Sequence, residues 1–200
     1  MTPAIRFVAS ITVLALAPAL ATQPAAAQAE PGCWLRQGVT QEQAAQRASP
    51  RDSASIRIDA GTAKVCYGAP SARGRDIMGG LVPYDQPWRG GADEATALHL
   101  TFPAQVAGVS LDPGAYSLYF VPGQDRWTVR VNGVEQRWGI PINEGVMEND
   151  IGQGTVSPAR TGGMIDQMRY RWEEVGPDTA HLILEWENTR VRIPVEAASG

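Results

Sequence analysis

The chain has 200 residues, with 17 Lys and Arg against 21 Asp and Glu, for a formal net charge of −4. That mild acidity argues against nucleic acid or an anionic membrane surface as the main partner. Once an amino-terminal apolar run is set aside, about 170 residues remain, enough for a single domain with one substantial core.

Arg6 precedes the apolar run 7–20, and Ala25-Ala26-Ala27-Gln28-Ala29 supplies small residues at the spacing signal peptidase needs. Residues 1–29 therefore read as an export signal that is removed, placing the product in the periplasm or outside the cell. A membrane span is disfavoured: the run falls short of roughly 20 apolar residues and contains Pro18. No stable membrane insertion is expected after signal removal. The chain has two cysteines, Cys33 and Cys66, and an oxidising compartment turns such a pair into a disulfide. Closing that loop is expected to contribute roughly 3 to 4 kcal/mol in the chain-entropy picture. A redox or metal pair is the rival, but there is no CxxC spacing and no neighbouring histidine. No cofactor is expected.

An N-terminal arm, 30–50, follows. Thr40-Gln41-Glu42-Gln43 has the form of a capping box that opens a short helix running to about Arg47, and Ser49-Pro50 ends it. From 51 to 196 the pattern changes to short alternating segments separated by Gly, Pro, Asn and Asp, as in a sandwich or barrel. Ile56 and Ile58 lead through Ala60-Gly61-Thr62 into Lys64-Val65-Cys66-Tyr67, a first hairpin. Leu98, Leu100 and Phe102 mark one face of the next strand, with His99 on the other. Asp112-Pro113-Gly114 suits a type II turn. Tyr116, Leu118 and Phe120, then Trp127, Val129 and Val131, give two more strands with Pro122-Gly123-Gln124-Asp125 between them. Residues 138–154 read as a long surface excursion. Three last strands are expected near 164–172, 181–186 and 191–195, with Glu187-Asn188-Thr189-Arg190 as a hairpin turn. The fold expected is all-β, an antiparallel sandwich of Greek-key or jelly-roll type with one short N-terminal helix.

Residues 67–96, YGAPSARGRDIMGGLVPYDQPWRGGADEAT, have neither helical nor strand periodicity. Gly74, Gly79, Gly80, Gly90 and Gly91 allow close backbone approach or positive φ, while Pro83 and Pro87 stiffen the segment, so it reads as a loop of fixed shape. Together with Ser49-Pro50-Arg51-Asp52-Ser53, Pro113-Gly114-Ala115-Tyr116-Ser117-Leu118, Trp127-Thr128-Val129, Trp138-Gly139 and Glu185-Trp186-Glu187-Asn188-Thr189-Arg190, this block resembles an exported bacterial family catalogued as domain of unknown function 2911. The resemblance spans about residue 49 to the C-terminus. It implies a mostly antiparallel β domain and brings no catalytic residues and no ligand. In the family pattern the resemblance implies, Asn is common where this chain has Asp93, and Thr where it has Gly90.

Within the block, Arg73, Arg75, Arg89, Asp93 and Glu94, with Tyr84 and Trp88, are the candidate site residues. Two arrangements suit them. The arginines form a planar fork for a carboxylate, phosphate or sugar hydroxyl, with Trp88 or Tyr84 as a stacking platform. Alternatively, they pair internally with Asp93 and Glu94 and lock the loop over one end of the sandwich.

Enzymatic signatures are absent: there is no GxSxG elbow, no HExxH, and no Walker or dinucleotide fingerprint. The histidines, His99 and His181, fall on polar strand phases; joined with Asp93, Glu94 or Glu185 they would make a metal or general-base site. Trp34, Trp88 and Trp138 lie outside any alternating pattern and are candidates for exposure. The sequence thus favours a non-catalytic binding or structural domain that uses loop block 73–94 and takes a small molecule, glycan or envelope protein as partner. The alternative is a hydrolase or metal-dependent enzyme built on His99 or His181 with an acidic residue.

Overall fold

Period-two alternation becomes two stacked antiparallel sheets, and the computed structural model describes residues 31–198 of them and their connections. The expected export signal lies outside the described residues. In chain order the elements are α1 (Gln41–Ala45), β1 (Arg51–Ile58), β2 (Gly61–Gly68), β3 (Thr96–Leu100), β4 (Ala104–Val106), β5 (Val109–Leu111), β6 (Gly114–Val121), β7 (Trp127–Asn132), α2 (Glu144–Met147), β8 (Asp150–Val156), β9 (Pro158–Gly176) and β10 (Thr179–Ala197). One sheet has six strands in the order β1-β2-β3-β6-β7-β8, the other four in the order β5-β4-β10-β9. The chain changes sheet after β3, returns after β5 and changes again after β8, the crossings that distinguish a sandwich from a simple meander.

The inward phases are those the alternation marks. Val65, Leu98, Leu118, Phe120, Trp127, Val129 and Val131 from the six-stranded sheet meet Met168, Tyr170, Leu182, Leu184, Trp186 and Ile193 from the other. Removing each such side chain from water contributes roughly 1.5 to 3 kcal/mol.

Two stretches depart from the sequence reading. The expected turn at 187–190 is not a turn: β10 runs unbroken through it, with register shifts against β9 on either side of Glu187. Glu187 sits there at φ 54°, in the left-handed region, and its carboxylate accepts from the backbone N–H groups of Ile77 (3.2 Å) and Met78 (3.5 Å). A run of polar residues imitates a turn because it is a β-bulge anchoring a loop from elsewhere in the chain. The excursion expected over 138–154 also contains α2 and the start of β8. Gly152 and Gly154 give β8 no hydrophobic alternation, and the packing requires this: a Cβ on Gly154 would run into the carbonyl of Ala107, beside the β4–β5 hairpin.

The arm crosses the outer face of the six-stranded sheet. Cys33 and Cys66 form a disulfide with Cα atoms 5.6 Å apart. The capping box is present in both directions: Gln43 N–H donates to Thr40 Oγ1 at 3.1 Å and Thr40 N–H to Gln43 Oε1 at 2.9 Å. No helix among the described residues is long and apolar enough to cross a membrane.

Candidate functional site

Loop block 69–95 is held to the sandwich at several points. Trp88 exchanges backbone hydrogen bonds with Phe120 on β6, at 2.7 and 2.8 Å, so the loop resumes the place beside β6 that β3 occupies further along. Gly90 has φ 62°, and a Cβ there would strike the Phe120 ring and the Tyr170 hydroxyl; its carbonyl accepts from Thr96 Oγ1 at 3.1 Å and Tyr170 OH at 2.9 Å. Only glycine meets both the positive φ and the close approach.

The internal pairing of the loop arginines with Asp93 and Glu94 is not what forms. Glu94, with its side chain fully buried, takes both terminal nitrogens of Arg47, at 2.6 and 3.1 Å, and the N–H of Arg36 at 3.2 Å. Burial alone would raise the Glu94 pKa; the hydrogen bonds from Arg47, helped by backbone donors, outweigh it and hold the carboxyl below its ordinary value. Asp93 is 3.7 Å from Arg47, and takes φ 61°, a conformation that Asn and Asp tolerate better than most residues. The arm thus supplies the partner the sequence reading sought inside the loop.

Arg89 is left without a carboxylate. Its Nε donates to the Gly91 carbonyl at 3.0 Å, and its stem packs against Gly139. Among the described residues no Asp or Glu makes an ion pair with it. Burial lowers its pKa, with Asp93 near enough only to oppose that in part. Arg89 borders a cavity of about 300 Å³ whose walls include Arg75, Trp88, Trp186, Leu81, Val82 and Ser49. Arg75 is exposed and commits Nε to Ala72 O at 2.9 Å and Nη2 to Ser71 O at 2.8 Å.

Trp88 is not a free platform. Its ring lies nearly parallel to that of Trp186 (6.0 Å, 17°) and meets Trp127 edge-on at 5.9 Å, so it joins the core to the cavity wall. Trp138 lies beneath the Arg36 guanidinium, 4.9 Å from ring centroid to carbon, and both it and Trp34 are half-buried. Arg73 is exposed at φ 53°, with Nη2 on Ala48 O at 3.0 Å and its N–H on Asp166 Oδ1 at 2.9 Å. Tyr84 lines a different cavity, of about 310 Å³, with Met78, Arg160, Glu187 and Asn188. The seven candidates are therefore divided: Arg75, Trp88 and Arg89 share one cavity, Tyr84 another, Asp93 and Glu94 face the arm, and Arg73 tethers the loop.

Sequence reasoning missed Arg47 and Trp186. Arg47 reads only as the end of a short helix, and Trp186 reads as core, which it also is.

The histidines do not converge. His99 lies opposite in phase to Leu98 and Leu100 on one sheet, and His181 opposite in phase to Ala180 and Leu182 on the other, so they point away from the sandwich on different sides. His99 is 7% exposed rather than on an open polar face. Burial, Lys64 and Arg51 disfavour its cation, with Glu135 opposing. Glu185 is engaged elsewhere, accepting from Arg190 Nε at 2.6 Å and Arg169 Nε at 2.9 Å. Among the described residues no group of three or more His, Cys, Asp and Glu is arranged to hold a metal ion.

Residues 49–195 match the family described as "Protein of unknown function (DUF2911)". The chain belongs to that family. No curated protein and no solved structure matches it. All three candidate residues at the Arg89 cavity fall inside the DUF2911 match, whereas Cys33, α1 and Arg47 precede it. The DUF2911 portion therefore carries the cavity, and the preceding segment carries the partner of Glu94.

Proposed function

We propose that this protein is a non-catalytic binding domain of an exported chain, with the cavity between the loop block and β10 as its ligand site and Arg89 as the anchoring group. The observation that supports this reading is the distribution of charge partners. Glu94 is satisfied by Arg47 and Arg36, so Arg89, partly withdrawn from water, has its terminal nitrogens uncommitted at the wall of a cavity. An arginine in that position costs desolvation free energy that an internal carboxylate would offset, and a ligand supplies the same compensation from outside. Its walls combine apolar side chains with a few convergent polar groups, the usual character of a small-molecule site.

The test is a thermal-shift screen of the protein against small anions, neutral sugars and cations, repeated on Arg89→Ala and Trp88→Ala. A ligand that raises the melting temperature of the wild type, and has little effect on either variant, is the expected result. If nothing in the panel shifts the wild type, or every active ligand ignores both substitutions, the cavity is not a binding site.

A further inference from the structure

Resting on that reading, we propose that the ligand is a small organic monocarboxylate with a compact apolar body, rather than a sugar or a cation. Hydrogen-bonding chemistry supports this first. The cavity is lined by Ser49, Arg75, Arg89 and otherwise by Pro, Leu, Val, Trp, Gly and Ala, with no Asp, Glu, Asn or Gln side chain. Arginine donates only, so the lining offers charged donors against a single hydroxyl acceptor and whatever backbone carbonyls it exposes. A sugar carries hydroxyls that must each donate as well as accept, and it would leave them unmatched here. Nearby carboxylates are not available to supply acceptors: Glu94 is taken by Arg47, and Glu187 by the N–H groups of Ile77 and Met78. A cation would face arginines with no compensating acid.

The geometry of Arg89 narrows the class. With Nε given to Gly91 O, the guanidinium has its two terminal nitrogens left, and that pair can meet both oxygens of one carboxylate. The rest of the lining is largely apolar: Leu81, Val82, Pro70, Ala92 and the stacked Trp88 and Trp186 pair. A cavity of about 300 Å³ is at the small end for ligand sites, enough for roughly 10 to 15 non-hydrogen atoms at protein packing density. A ring or branched chain carrying one carboxylate suits that volume and meets the Arg89 fork.

The experiment measures affinity by calorimetry for matched probes: benzoate and phenylacetate, their amides, phenyl phosphate, and glucose. The carboxylates are expected to bind at least about tenfold tighter than the corresponding amides, since an amide cannot accept two charge-assisted bonds. They should lose about tenfold or more in Arg89→Ala and an intermediate factor in Arg89→Lys, which keeps the charge and loses the fork. Circular dichroism melting of both variants checks that they fold. Equal affinity for acid and amide, or binding indifferent to Arg89, overturns the proposal. Phenyl phosphate or glucose binding in an Arg89-dependent way while the carboxylates do not would overturn the ligand class and leave the site reading standing. If neither these probes nor the wider screen bind, the site reading fails with it.

Discussion

Arg89 and Glu94 lie five residues apart on one loop, yet their surroundings are opposite. Glu94 is fully buried and accepts three hydrogen bonds from a segment that precedes the sandwich, whereas Arg89 has a single bond to a neighbouring carbonyl and no acid. Glu185 resembles Glu94: it is a buried carboxylate that Arg169, Arg171 and Arg190 surround. Charge in this molecule is thus of two kinds. Where a carboxylate is buried it is met by arginine, one guanidinium and a backbone N–H at Glu94 and three guanidinium groups at Glu185, which is what low dielectric demands of a group that must stay ionised. The arginines with no acid are of the other kind: Arg89 at the cavity wall bonds a carbonyl, and Arg51 and Arg137, at least as deeply buried, bond carbonyls or a hydroxyl.

The sharpest way to break that contrast is to remove Arg47. Arg47→Ala leaves Glu94 buried with the Arg36 N–H as its remaining arm donor, and should cost about 3 to 5 kcal/mol in urea unfolding. The same cluster should be visible in acid. Because the Glu94 and Glu185 pKa values are held below the ordinary 4.5, the stability these groups contribute is fully present above that value and is lost as pH falls through their depressed folded values. Arg47→Ala should flatten the acid limb of stability against pH.

Replacing both Cys33 and Cys66 by Ser should cost about 3 to 4 kcal/mol, set by a sequence separation of 33 residues. Gly90→Ala, which forces a Cβ against Phe120 at positive φ, is expected to cost about 1 to 3 kcal/mol by thermal melting. Arg89→Ala comes last, with a change of about 0.5 kcal/mol or less in the absence of ligand. If Arg89→Ala instead destabilises as much as Arg47→Ala, the two kinds of charge are one, and the loop is architecture throughout.

Much of the fold is legible in the sequence because its signals are local. The capping box of α1 and the inward phases of β2, β3, β6 and β7 depend on neighbours one to four residues apart. β10 was obscured because Glu187 faces a loop residue 110 positions away, so its polarity serves a contact that no short window contains. β8 was obscured because its glycines answer to the β4–β5 hairpin. The site was half legible. Arg75, Trp88 and Arg89 stand in one unusual block, but the decisive fact about Arg89 is that Glu94 is engaged, and its partner lies 47 residues away. Trp186 follows the core phase of its strand, and nothing in that phase says that the end of the core is also the wall of a cavity.

Ser49, on the rim of that cavity, belongs to the arm, and the arm is fastened by the Cys33–Cys66 disulfide. That rim residue is therefore held twice over, by a covalent bond early in the arm and by the polar ties of Arg47 to Glu94, Arg73 to Ala48 O and Ala69 N–H to Pro50 O beside it. Chain that folds among reducing thiols would keep its sandwich and those polar ties and lose only the covalent one. A reduced sample should therefore melt below an oxidised one by about what the double Cys→Ser change costs, while the polar ties still mark where the arm belongs.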